Sequence, residues 1–195
     1  MKGPLTAIAT VEDSVGEAAG RRLMKLFLAT GLTLVFVLML VGLLMRLSQA
    51  EWLPLDPAWF YSLMTLHGAG MIVSLVLCGM GGVWYLVRRE ARMDVRLGYW
   101  SYGLILGGVV LVLVATMVGK FAAGWTTLYP LPFVNPTWPF WSTGAFFIGL
   151  MLVTAGWTVW SFQILEAVMR AFGGLRGALG WDLVFNAKAF AASGR

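Results

Sequence analysis

The sequence has little charge, one cysteine and one histidine. Asp, Glu, Lys and Arg make up 12% of its 195 residues, whereas 59% are hydrophobic. This composition is far from the soluble average and is typical of an integral membrane protein. With Cys78 as its single cysteine, the sequence offers no internal disulfide and no cysteine-based zinc or iron–sulfur site. We expect Cys78 to be a small buried side chain.

The basic residues do not form a clustered surface. The net charge is +5, but Lys and Arg flank apolar stretches along the chain. Nucleic-acid binding requires a basic face that is open to solvent, so no nucleic-acid partner is expected. The expected surroundings of the chain are instead the lipid bilayer.

Four apolar stretches are long enough to cross a bilayer, which takes about 20 residues. Four prolines between Phe121 and Pro139 predict a loop before the last helix, and Gly173 and Gly174 are expected to end it. The predicted fold class is an all-α integral membrane protein with four transmembrane helices. They cover Leu26–Met45, Ala58–Val87, Leu97–Gly119 and approximately Pro139–Phe172.

Three segments follow from these helices. Residues 1–20 form a predicted tail, residues 21–172 a four-helix transmembrane domain, and residues 173–195 a second tail. Ser14 and Glu17 have the spacing of a capping box, which would start the first helix before Arg21. Gly103 and Gly107 have the spacing of a close contact between membrane helices.

The distribution of Lys and Arg predicts the orientation in the membrane. Twelve of these 14 residues lie before Leu26, from Arg170 onward, or in the loop between the second and third helices. The two remaining loops contain only Arg46 and Lys120. Positive charge is concentrated on the cytoplasmic side of membrane proteins, so both termini are expected in the cytoplasm of a cell with the chain in its inner (plasma) membrane. Glu90 and Asp94 are expected to pair with arginines of the basic loop.

His67 is the only histidine, and it lies within the uncharged stretch Ala58–Val87. If the second helix begins near Trp59, His67 lies roughly 12 Å below the outer surface. An ionisable residue at such a depth is a candidate functional site. Zinc would require three or four ligands, whereas haem iron can use one imidazole from this chain. The alternative is a histidine that forms a hydrogen bond with a neighbouring helix, and the composition leaves both interpretations open.

Two segments resemble catalytic subunit I of the haem–copper oxidases. The string Thr65-Leu66-His67-Gly68, within Trp59–Gly68, is similar to the start of that subunit's second transmembrane helix, where a Thr-x-His-Gly string supplies an axial ligand of the low-spin haem. The string Gly124–Pro132, GWTTLYPLP, resembles the external segment between the third and fourth helices of the family. An extra Thr and the Pro-Leu-Pro order depart from the commoner pattern and are closer to the B-type oxidases. The likeness extends from about Arg21 to Phe172 and covers the first third of that subunit's helical bundle.

This resemblance implies a cofactor and its ligand. His67 is the expected ligand of a low-spin haem of b or a type, through one ring nitrogen, with the other nitrogen held by an acceptor such as a backbone carbonyl. Gly68, Met64 and Met71 are the expected neighbours of the porphyrin, since small and apolar residues let it approach and exclude water.

The family's other haem and copper ligands are histidines on later helices. These 195 residues therefore resemble an amino-terminal third, apparently split or truncated, that is not catalytic alone and binds no copper. The haem would be shared with a second chain that carries the remaining subunit I helices, in a complex with other oxidase subunits. The predicted function is electron transfer toward an oxygen-reducing haem–copper centre on that chain.

Two alternatives remain. One is a homodimeric membrane cytochrome in which two copies of His67 bind a shared haem. The other is a membrane scaffold or assembly subunit that binds no cofactor.

Overall fold

The computed structural model describes residues 4–124 and 137–181, and the side chains from residue 16 onward. These residues form helices and connecting turns, with no strand among them. Four of the helices are long and apolar enough to cross a membrane, which confirms the predicted fold class. The helices are α1 (Pro4–Gln49), α2 (Pro57–Glu90), α3 (Val95–Met117), α4 (Phe140–Ala171) and the short α5 (Leu175–Ala178).

The observed helices are longer than the apolar stretches that predict them. α1 has 46 residues and begins well before Arg21, as expected. The predicted capping box is wrong, however, because Ser14 lies inside α1, which begins at Pro4. Glu17 instead forms an ion pair with Arg21, one helical turn away on the same face.

Aspartates begin two of the helices. The Asp56 side chain accepts a hydrogen bond from the backbone nitrogen of Ala58 at 2.9 Å, next to Pro57 in the first turn of α2. Asp94 caps α3 in the same way, accepting from the backbone nitrogen of Arg96 at 2.8 Å. The predicted pairing of Asp94 with an arginine side chain is therefore wrong, because a carboxylate at this position satisfies the free N–H groups of the helix.

The end of α4 is set by glycine. After Ala171 the chain turns at Gly173 and Gly174, whose φ angles are +71° and +115°. These angles lie in the left-handed region that glycine adopts without steric cost. The predicted stop is confirmed.

The helices pack as two pairs, α1 with α2 and α3 with α4, and α2 and α3 also contact each other. Gly108 and Gly149 bring α3 and α4 close together, because a Cβ atom at Gly149 would lie 2.8 Å from the Gly108 carbonyl oxygen. The predicted close contact at Gly103 and Gly107 is wrong: Gly103 has open space where its side chain would be, and a Cβ atom at Gly107 would meet only one atom, at 4.0 Å.

Buried apolar side chains from all four long helices form a core at the end of the bundle that carries the basic α2–α3 loop. Its larger members are Leu23, Phe27, Leu77, Trp84, Ile105 and Trp160. Hydrogen bonds between side chains and neighbouring helices join the pair α1–α2 to the pair α3–α4. Thr30 and Tyr102 share one of 2.7 Å between their hydroxyl groups, and the Ser62 hydroxyl donates to the Thr116 carbonyl.

Candidate functional site

His67 lies on α2 at the contact with α1. Its side chain is half-buried. The imidazole Nδ1 is 2.8 Å from the backbone carbonyl oxygen of Leu38 on α1. Gly42, one turn further along α1, makes room for the ring, because a Cβ atom there would lie 2.9 Å from His67 Cε1. The Leu38 carbonyl thus holds the imidazole by a hydrogen bond, and the absence of a side chain at Gly42 leaves space for the ring.

The hydrogen bond sets the tautomer of His67. A carbonyl oxygen only accepts, so the Nδ1 atom carries the proton. In a neutral ring the Nε2 atom then has the lone pair, which is the form in which imidazole binds a metal. Nε2 forms no hydrogen bond with the described residues of the chain.

This bond is compatible with both interpretations of His67 from the sequence. A structural histidine would be satisfied at Nδ1 by Leu38, and a ligating histidine would be oriented by the same contact. The two differ at Nε2. A purely structural role gives that lone pair no partner among the described residues, whereas a metal would use it.

The three other predicted site residues lie beside His67 on α2. At three- and four-residue spacings, Met64 and Met71 occupy the same side of the helix as His67. Met64 is 37% exposed, and the nearby Leu75 is 65% exposed. Gly68 and Met71 are half-buried. His67 therefore lies at the border between the α1 contact and an apolar face of α2 that the described residues leave open.

Leu38 and Gly42 are the residues of this site that the sequence did not predict. A backbone carbonyl leaves no signature in a sequence, and Leu38 is one of many leucines in an apolar helix. Gly42 gives the one weak signal of this contact in the sequence, because it is a glycine within the apolar run that begins at Leu34. Its significance depends on the register between α1 and α2, which only the packing of the two helices determines.

The two family-like segments are in contact. The Thr65 hydroxyl accepts a hydrogen bond of 3.1 Å from the backbone nitrogen of Gly124 and donates one of 2.9 Å to the Tyr61 carbonyl. Gly124 begins the second family-like segment, and Thr65 lies two residues before His67. The remaining residues of that segment, from Trp125 onward, lie outside the described part of the chain.

Cys78 lies further along α2 and packs against α1. A Cβ atom at Gly31 would lie 2.7 Å from its Sγ atom. The thiol is half-buried, and among the described residues no group of three His, Cys, Asp or Glu side chains is close enough to bind a metal ion. Of the described side chains, the imidazole of His67 is the donor best placed for a metal at this border.

The fold and this imidazole together define a class of protein. It is a membrane protein with several spans, in which a hydrogen bond to the neighbouring helix orients one histidine. The model of the family described as cytochrome c and quinol oxidase polypeptide I matches residues 22–186. The chain belongs to this family and is accordingly a membrane subunit of a respiratory oxidase, a class whose members bind haem and assemble with other oxidase subunits. Comparisons with curated proteins and with solved structures gave no match.

Proposed function

We propose that this chain ligates a low-spin haem through Nε2 of His67 and passes electrons toward an oxygen-reducing haem–copper centre on another chain. The observation that carries the proposal is the Nε2 lone pair of His67, which has no partner among the described residues while Nδ1 donates to the Leu38 carbonyl oxygen. Membership of the oxidase family supports iron in a porphyrin as that metal.

The residues at the site fit such a group. The Leu38 carbonyl fixes the plane of the imidazole and increases its basicity as a ligand. Gly42 lets the ring lie close to α1. Met64, Gly68 and Met71 border the open side, where apolar and small side chains would exclude water and let a flat macrocycle approach. When bound, a haem supplies reversible one-electron chemistry.

A second chain is part of this proposal. His67 is the single histidine of these 195 residues, so it can occupy one axial position of the iron. We infer that the opposing ligand, the copper ligands and the remaining subunit I helices lie outside these 195 residues, and we propose that a partner chain carries them. The open apolar face of α2 beside Met64 and Leu75 is a suitable surface for that partner and the shared haem.

The orientation is also proposed. The basic α2–α3 loop lies at the same end of the bundle as Gly16, because Arg88 donates a hydrogen bond to the Gly16 carbonyl. By the positive-inside rule this end faces the cytoplasm, with the chain in the plasma membrane. His67 then lies in the outer half of the bilayer.

The test is a reduced-minus-oxidised spectrum of the purified native complex with His67→Ala. We expect the low-spin haem signal to be lost, because His67 is the single histidine of these 195 residues. Ser74→Ala is the matched control, since Ser74 is buried on the same helix and its hydroxyl bonds only within α2. An unchanged signal in the His67 variant would refute the proposal.

The mass of the detergent-solubilised complex tests the partner. We expect a complex that contains a second, different chain. A complex of two copies of this chain with one haem would support the homodimeric cytochrome instead, and a pure chain of normal helix content without haem would support the scaffold.

A further inference from the structure

Two adjoining cavities lie at the basic end of the bundle, the end formed by the first part of α1 and the α2–α3 loop. The polar cavity has a volume of about 430 Å³ and is bordered by Arg88, Arg89 and Arg92. The apolar cavity has a volume of about 200 Å³ and is bordered by Trp84 and Tyr85. Both are lined by Glu17, Arg88 and Arg89, so a charged part and an apolar part adjoin at these residues.

Arg88 links the two parts and has an unpaired donor. Its guanidinium group lies directly over Gly20, whose missing side chain makes the space, and its Nη2 atom donates a hydrogen bond of 2.6 Å to the Gly16 carbonyl. Its Nη1 atom is buried and has no hydrogen-bond partner among the described residues. Because Nη1 has no accessible surface, Arg88 contributes to the site through its charge, and the exposed Arg89 and Arg92 supply donors that a ligand can reach.

The apolar part contains a second unpaired donor. Trp84 is fully buried, at 0% exposure, and its Nε1 atom has no partner within the described residues. The wall of this cavity also includes Met24 of α1. It is thus a narrow apolar space between α1 and α2 that opens beside the arginines.

The charge of the polar part selects an anion. Three arginines border it against two glutamates, Glu17 and Glu90. Glu17 is already paired with Arg21, so it neutralises little of the charge of the other arginines. Guanidinium groups bind phosphate oxygens with directed, charge-assisted hydrogen bonds.

We propose that this site binds one phospholipid with an anionic headgroup. The phosphate lies in the polar cavity, where it accepts from Arg89 and Arg92, and the first part of an acyl chain lies against Met24, Trp84 and Tyr85. A free phosphate would use the arginines but leave the apolar cavity unfilled. A lipid matches both parts, at the level where the span of α2 ends. This inference does not depend on haem binding.

The experiment uses the full chain in phosphatidylcholine nanodiscs that contain a small fraction of phosphatidylglycerol with brominated acyl chains. Bromine quenches tryptophan fluorescence on contact, and the part due to Trp84 is obtained by comparison with Trp84→Phe. We expect brominated phosphatidylglycerol to quench Trp84 more strongly than brominated phosphatidylcholine at the same mole fraction. In the variant with Arg89→Gln and Arg92→Gln, the preference for phosphatidylglycerol over phosphatidylcholine should fall about fivefold for each arginine removed.

This double variant keeps Arg88 and its bond to Gly16, so it tests the headgroup without removing that contact. Arg170→Gln with Arg176→Gln is the matched control, since both residues are exposed and lie outside the two cavities. Equal quenching by the two lipids, or an equal loss in the control, would overturn the proposal. Displacement of the brominated lipid by soluble glycerol phosphate would also overturn it, in favour of a site for a free phosphate ester.

Discussion

The position of the His67 ring depends on two residues of α1 that have no reactive side chain. Leu38 contributes its backbone carbonyl, and Gly42 contributes the absence of a Cβ atom. A helix carbonyl that already accepts within its own helix can accept a second hydrogen bond, because it has two lone pairs. The site therefore depends on how closely α1 and α2 approach at one point.

Gly42→Ala tests this approach directly. The new methyl group would lie 2.9 Å from Cε1 of the imidazole, so the ring must shift and its bond to Leu38 must weaken. Because loss of such an orienting contact typically reduces metal affinity about 10- to 100-fold, we expect clearly weaker haem retention and a shifted low-spin band.

Gly79→Ala provides the control, since nothing lies within 4 Å of a Cβ atom at that position on α2. Haem retention should be unchanged there. If the Gly42 and Gly79 variants retain haem equally, the orienting role of the α1 contact is wrong.

At the scale of the elements, a glycine brings two helices close together only where it faces the backbone of the neighbouring helix. The pair Gly103 and Gly107 has the correct spacing but lies on a face of α3 that makes no close contact with the described residues, whereas Gly108 faces Gly149 of α4. Spacing along one helix identifies a small-residue face but not the face that a neighbour occupies. The order of the helices in the bundle supplies that information.

Gly149→Ala should therefore destabilise the α3–α4 pair. Its Cβ atom would lie 2.8 Å from the Gly108 carbonyl oxygen, which belongs to the backbone and cannot move aside. Overpacking of this kind costs about 1–3 kcal/mol, to be measured as the free energy of unfolding in mixed micelles.

Gly144→Ala, one helical turn and one residue earlier on α4, has open space around the new methyl group. Alanine is the better helix former, so this variant should be neutral or more stable by up to about 1 kcal/mol. A Gly149 variant as stable as the Gly144 variant would contradict the assigned contact.

At the scale of the whole molecule, polar contacts within the bundle join the two helix pairs. Thr30 of α1 and Tyr102 of α3 share a hydrogen bond of 2.7 Å, and the Phe27 and Tyr102 rings lie edge to face at 5.3 Å between centroids. Either hydroxyl group can be the donor. This contact fixes how the α1–α2 pair, which carries His67, lies on the α3–α4 pair.

A double-mutant cycle with Thr30→Val and Tyr102→Phe measures the contribution of this bond. Hydrogen bonds between membrane helices average about 0.6 kcal/mol and reach about 1.7 kcal/mol, and we expect a coupling within that range. If the effects of the two substitutions on the free energy of unfolding are fully additive, the hydroxyl groups do not interact in the membrane.

The sequence by itself determined the helical membrane fold, the approximate spans and the position of the single histidine within one of them. These depend on composition, on the length of apolar runs and on one residue type at one position, which are local properties of a chain in a bilayer. The contact between the two family-like segments, through the Thr65–Gly124 hydrogen bond, was not predicted from the sequence.

Only the tertiary structure decided which carbonyl holds the imidazole, which glycine makes room for it, and which glycines bring α3 and α4 together. It also decided that Asp94 caps a helix and that Arg88 reaches across Gly20 to α1. The physical reason is register: apolar helices of similar composition can slide or rotate against each other with little change in their pattern, and the fit of individual side chains into individual gaps fixes one arrangement.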